Sequence, residues 1–214
     1  MPSDRCRIAP ARAIQALFPE ATVLTRRDAS KPALERMNAP RILHIASHGF
    51  FVQNAEAGVA SDARGASGTS TSTTIANPLL RSGLPLAGAN VDKGASVLTA
   101  LETSHLNLWG TKLVTLSACD TGVGEVRNGQ GVYGLRRSFF LAGAETLVMS
   151  LWPVSDYVTR EMMTAYYTGL KNGQGRGEAL RRAQLAMLAR QNRRHPFYWA
   201  SFIQAGDWRT LDGR

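Results

Sequence analysis

Apolar residues follow two rhythms along this chain. Three short runs, "RILHIAS" (41–47), "KLVTLSA" (112–118) and "TLVMSLW" (146–152), carry hydrophobic side chains at successive positions. They are too short for helices and read as strands buried on both faces. Pro153 ends the third. Other segments repeat with the helical period. "GVYGLRRSFFLAG" (131–143) puts Val132, Leu135 and Phe139 on one face and stops at Gly143. "DYVTREMMTAYYTGLKNG" (156–173) turns Val158, Met162, Tyr166 and Leu170 inward, with Ser155 or Asp156 as its cap. "GEALRRAQLAMLARQN" (177–192) is a further helix.

The remaining segments are weaker. "ARAIQALFP" (11–19) reads as the end of a helix stopped near Pro19, and "ATVLT" (21–25) as a short strand. "KPALERMN" (31–38) is a brief helix with Pro32 in its first turn. "LPLAGA" (84–89) and "SVLTA" (96–100) form a hairpin around "NVDKG". Thr99 and Glu102 have capping-box spacing, which predicts a short helix from Ala100 to Leu106. "FYWASFIQAG" (197–206) closes as a strand. Strands alternating with helices imply an α/β fold with a largely parallel sheet covered on both faces. No internal repeat is visible. Residues 1–10 read as an N-terminal tail and 11–210 as one domain. Residues 53–76, rich in Ser, Thr, Gly and Ala, form a flexible insertion loop with too few large apolar groups to pack.

Composition narrows the function classes. The chain has 214 residues and is 44% hydrophobic, enough for one sizeable core. No run approaches the length of a membrane helix, and the start, "MPSDRCRIAP", lacks the apolar segment of a secretory signal. Two cysteines, Cys6 and Cys119, make no disulfide framework. These features point to a reducing, cytoplasmic setting with Cys119 free. The formal charge of +9 comes mostly from arginine. The basic residues are scattered in short pairs with no aromatic ladder for stacking bases, which disfavours nucleic acid as the partner.

The chemistry sits where strands end. In a parallel α/β sheet, reactive groups gather at the carboxyl ends of the strands. "RILHIAS" runs into His48-Gly49, and "KLVTLSA" runs into Cys119-Asp120. If these strands are neighbours, an imidazole and a thiol share one crevice. A thiol with a pKa of about 8.5 needs a base to become the nucleophilic thiolate. The imidazole serves, and then protonates the leaving amine. The backbone amides of Gly49 and Cys119 would hold the oxyanion. A cysteine after an apolar strand is often only a small buried residue, and the spacing leaves that alternative open. His44 lies mid-strand and reads as buried and hydrogen-bonded. Asp120 and Asp156 lie near strand ends and are candidates for a substrate pocket that takes a basic side chain, although helix capping also accounts for Asp156.

Other motifs are weak. "GQGVYG" (129–134) matches G-x-G-x-x-G, but the preceding strand ends ten residues earlier, so the glycines read as loop and packing positions. His44 and His48 are too far apart on a strand to share a metal, and there is no C-x-x-C. Neither metal nor cofactor is expected.

"RILHIASHGFF", "NPLLRSGLPLAGAN", "LTALETSHLNLWGTKLVTLSACDTGVGEVRNGQGVYGLRRSFFLAGAETLVMSLWPVSD" and "HPFYWASFIQAGDW" resemble the CHAT domain. This family, caspase-HetF-associated-with-TPRs, is related to caspases and separase. The similarity runs from about Ala11 to Trp208. It implies a caspase-like three-layer sandwich, cysteine endopeptidase activity on a protein or peptide substrate, and a His-Gly pair and a Cys that match His48-Gly49 and Cys119. Family domains open with a strand ahead of the helix at 11–18. This chain starts too late to hold it, so either the sheet is one strand short or the chain is part of a longer protein. Many members carry a tetratricopeptide array upstream, which makes such a region or partner the expected regulator. Separases use an acid slightly beyond the "WPVSD" position, where this chain has Thr159-Arg160, and that weakens the case for basic-residue specificity. The competing reading is a catalytically inactive interaction module that kept the fold.

Overall fold

A computed structural model describes residues 4–47, 49–51, 78–80, 82–92, 95–117, 130–152 and 154–213. The chain opens with helix α1 (Asp4–Leu17) and a short helix α2 (Lys31–Glu35), and then strands β1 (Ile42–Ile45) and β2 (Phe50–Phe51). After these come β3 (Ser82–Pro85), β4 (Val97–Thr99), α3 (Ala100–Thr103), β5 (Leu113–Leu116), α4 (Gln130–Leu141) and β6 (Thr146–Ser150). The chain closes with α5 (Asp156–Lys171), α6 (Arg176–Leu188), α7 (Pro196–Trp199) and β7 (Phe202–Gly206).

The main sheet has the order β1-β5-β6-β7. Its first two pairings are parallel, and β7 closes the edge antiparallel to β6. Side chains alternate across a strand, so each strand feeds two cores. Leu43, Ile45, Val114, Leu116, Leu147 and Met149 pack with Leu135 and Phe139 of α4 and with Leu84 and Leu98 of the hairpin. Ile42, Leu113, Val148 and Phe202 meet the opposite layer, built from α1, α5 and α6. The result is a mixed α/β domain with a mostly parallel sheet between two layers, consistent with a caspase-like fold. The four inward positions read from the period of α5, Val158, Met162, Tyr166 and Leu170, are all buried. The inward side chain of Val132 lies outside the described residues, as do Pro153 and the loop 53–76.

The hairpin forms as the pattern predicts, with β3 and β4 antiparallel, and β2 adds a third strand that the sequence did not signal. The capping box is complete. Thr99 accepts from the Glu102 amide at 3.2 Å, and Glu102 accepts from the Thr99 amide at 2.9 Å. Replacing Thr99 with alanine should cost about 1 kcal/mol, read as a lower midpoint in urea with an unchanged slope. Gly143 follows α4 at φ +105, and a Cβ there would stand 2.8 Å from the Trp109 Cα, so the glycine serves both the turn and the close approach.

Five readings change, and one is a length: the helix expected from Ala100 to Leu106 ends at Thr103. The helix whose end is read at 11–19 does stop there, at Leu17, but it begins at Asp4, inside the stretch read as a tail. Residues 21–25 form no strand, because no described segment offers them a ladder. Ser155 stands at the N-cap of α5 without a side-chain capping bond, and Asp156 belongs to the first turn instead. Residues 197–201 are not strand. Pro196 suits the first turn of a helix, and the His195 ring accepts from the Phe197 amide at 3.2 Å. That local capping wins over the aromatic run, and β7 starts only at Phe202.

Candidate active site

β1 and β5 are neighbours and parallel, so both run toward the same edge of the sheet. Their register is Ile42 with Leu113 through Ile45 with Leu116, and the Ser117 amide extends the ladder to the Ile45 carbonyl at 3.1 Å. β6 lies parallel on the other side of β5 and ends at the same edge. This meets the topological condition for a shared crevice. His48, Cys119 and Asp120 themselves lie outside the described residues. Gly49 is described and half-buried. Among the described residues, no atom lies within 4 Å of where its Cβ would stand.

The approach to this edge is held by side chains. Ser47 donates its hydroxyl to the Pro85 carbonyl, which ties the segment after β1 to the hairpin. On the other face, His44 joins β1, β5 and α5. Its Nδ1 lies 2.9 Å from the Tyr167 hydroxyl and its Nε2 lies 2.8 Å from Ser117 Oγ. Tyr167 donates to Thr115 Oγ1 at 3.0 Å. With that proton committed, Nδ1–H donates to Tyr167 and Nε2 accepts from Ser117. Burial lowers the His44 pKa to about 4, so the ring is neutral near pH 7. Although His44 keeps a narrow exposed margin, both ring nitrogens have partners inside the protein. The reading of His44 as buried and hydrogen-bonded therefore holds. Its partners Ser117 and Tyr167 carried no sequence signal beyond their positions.

Of the two carboxylate candidates, Asp156 is described. Asp156 is half-buried in the first turn of α5, next to Tyr157. The Tyr157 ring carries two cations, with Arg160 at 5.4 Å and Arg193 at 5.3 Å from its centroid. A basic side chain arriving beside Tyr157 would meet like charge from these two guanidinium groups. In the sequence Arg193 and Arg194 form one of the scattered basic pairs, which gives no sign of this cluster. A tyrosine five residues after Arg193 was the available clue. Among the described residues, no group of three or more His, Cys, Asp or Glu side chains is placed to hold a metal ion. No described helix is long and apolar enough to cross a membrane.

A family model for the CHAT domain matches residues 4–207. Tetratricopeptide repeat protein 28 of Homo sapiens is 34% identical over 110 residues, a match that covers 51% of this chain and 4% of that protein. Its Mus musculus counterpart is 33% identical over 110 residues, again 51% of this chain and 4% of the relative. The chain therefore matches only a small part of the length of these relatives.

Proposed function

The chain belongs to the CHAT domain family, and from that premise we propose that it is a cysteine endopeptidase that cleaves peptide bonds in a partner protein. Cys119 is the nucleophile, and His48 is the general base and then the general acid. One observation carries the proposal. The paired positions of β1 and β5 differ by a constant 71, from 42 with 113 to 45 with 116. His48 and Cys119 differ by the same 71. That shared offset is the one expected of an imidazole and a thiol delivered by neighbouring parallel strands.

In this reading the imidazole takes the thiol proton, and the thiolate adds to the scissile carbonyl. The amides of Gly49 and Cys119 hold the resulting oxyanion. Among the described residues nothing crowds the Cβ direction of Gly49, which supports an approach of substrate to that backbone. His48 protonates the departing amine, and water then hydrolyses the thioester. The names of both relatives support a tetratricopeptide-type region, in the same chain or in a partner, as the regulator.

A peptidyl chloromethyl ketone tests the assignment, with Cys6→Ser as background so that Cys119 is the one remaining thiol. The background protein should be alkylated once. Cys119→Ala should stay unlabelled, and His48→Ala should react at least about 100-fold more slowly. Equal labelling with and without Cys119 would reject the proposal and favour an inactive module.

A further inference from the structure

A cluster of arginines and aromatic rings stands beyond the carboxyl end of β6, at the edge where β1 and β5 also end. β6 and β7 pair as far as Ser150 with Phe202, and the Leu151 amide adds a bond to the Ser201 carbonyl at 2.8 Å. Trp152 Nε1 donates to the Phe197 carbonyl at 3.0 Å, which fastens the segment after β6 to α7. Arg193 is shared between two rings, at 5.3 Å from the Tyr157 centroid and 5.1 Å from that of Tyr198. Arg160 approaches Tyr157 from its own helix, and Phe197 packs edge-on against Tyr198 at 5.6 Å. Tyr157 remains 53% exposed and Phe197 46%.

The charge here is unbalanced. Glu161 pairs with Arg190. Among the described residues, no carboxylate pairs with Arg160, Arg193 or Arg194, and Asp156 is the nearby acid in sequence. A ring contact uses the cation's charge and leaves the planar N–H donors of a guanidinium available for a carboxylate. Arg193 is half-buried and already ordered by two tyrosines, so little rotamer freedom remains to be lost on binding. The net charge of +9 adds long-range attraction for an acidic chain.

We propose that this surface, centred on Tyr157, Arg160, Arg193 and Tyr198, docks an acidic segment of the protein substrate beside the point of cleavage. The assignment of the occupant as substrate rests on the peptidase reading, whereas the binding itself does not require catalysis. Two side chains of the cluster, Arg160 and Tyr157, come from the first turns of α5, and the other two flank and belong to α7, so one peptide can touch both elements. Exposed rings beside the guanidinium groups suit the apolar parts of such a peptide.

The experiment measures binding by the full chain in the Cys119→Ala background, so that cleavage plays no part. A fluorescent decapeptide of alternating Glu and Ala should bind. Its Lys-Ala counterpart should not, and raising salt from low to moderate concentration should weaken the acidic peptide severalfold. Arg160→Glu/Arg193→Glu should reduce affinity by about tenfold or more, while the same charge change on α6, Arg181→Glu/Arg182→Glu, should stay within about twofold. If the double reversal melts early, Arg160→Glu alone, at an exposed position, should still lose about threefold. Equal losses for the two charge reversals would reduce the effect to net charge and overturn the proposal. So would indifference to peptide charge, or an oligothymidylate of equal charge binding more tightly through the same residues. Peptide binding that persists when the ketone probe fails to label Cys119 would sink the peptidase reading alone and leave an acidic-peptide surface.

Discussion

Arg176→Ala should lower the stability of this domain by about 3–5 kcal/mol, even though the residue touches nothing near the candidate site. Arg176 is a fully buried cation at the start of α6. Its Nε donates to the Arg209 carbonyl at 2.9 Å, and Nη1 donates to the Lys112 carbonyl at 2.6 Å. Nη2 reaches the Thr210 carbonyl at 3.4 Å and pairs with Asp207 at 3.1 Å, while Nη1 lies 3.6 Å from Glu145. One planar fork thus joins four parts of the chain: the start of α6, the residue before β5, the turn before β6 and the tail after β7. Alanine would leave the Lys112 carbonyl without its donor and remove the cation shared by Glu145 and Asp207, whereas the Arg209 and Thr210 carbonyls keep the amides of residue 176 and Gly213. The unsatisfied carbonyl costs about 1–3 kcal/mol, and the void left by a fully buried side chain together with the lost charge-assisted bonds accounts for the rest.

Because a domain of this size shifts by roughly 2–4 °C per kcal/mol, the melting temperature should fall by roughly 6–20 °C. Arg176→Lys should recover only part of the loss, since an ammonium cannot reproduce the fork. The cluster lies at the amino-terminal edge of the parallel strands, away from the ends of β1 and β5, so ketone labelling of Cys119 at low temperature should survive the substitution. A melting temperature within 3 °C of wild type would show that the buried cation is not the fastening read here.

Arg176 also marks the limit of what the sequence could reveal. Charge counting treats arginine as surface, and nothing in "GQGRGEAL" (173–180) distinguishes a buried guanidinium from an exposed one. Its acceptors are backbone carbonyls from distant segments, and a carbonyl leaves no trace in residue type. Apolar periodicity was far more informative. The inward face of α5 and the buried strands β5 and β6 could be read directly, because burial repeats with the geometry of the element. The errors fell where local and tertiary signals conflict. "FYWAS" (197–201) is rich in strand-forming aromatics, yet Pro196 and the His195 ring start a helical turn first. "ATVLT" has strand composition but finds no partner. For the candidate site, the strand-end logic located the edge and the neighbouring strands. The contribution of Tyr157 and Arg193 depends on packing between α5 and the segment before α7, which are far apart in sequence.

The second large effect is a loss of stability in mild acid that belongs to His44. An unfolded histidine titrates near 6.5, whereas burial holds folded His44 at about 4. Between those values the unfolded chain binds more protons, so stability must rise with pH across the interval. The contribution is complete above pH 6.5, falls by about 2 kcal/mol by pH 5 and by about 3 kcal/mol below pH 4. No charged neighbour contributes to the shift. The groups against the ring are Tyr167, Ser117 and, through Tyr167, Thr115. Burial also raises the Tyr167 phenol above its ordinary value, so it stays neutral throughout this range. Carboxylates elsewhere add their own acid sensitivity, so the readout is a difference between proteins. His44→Phe should be weaker than wild type at pH 7.5, because Ser117 loses its partner, by about 1–3 kcal/mol. Its stability should then change about 2 kcal/mol less than wild type between pH 7.5 and 5 in urea titrations. Parallel pH profiles for the two proteins would mean that the ring is hydrated and titrates normally. A converging pair would identify the His44 bridge as the acid-sensitive bond between β1 and β5, directly beneath the edge that carries His48 and Cys119 in the proposed enzyme.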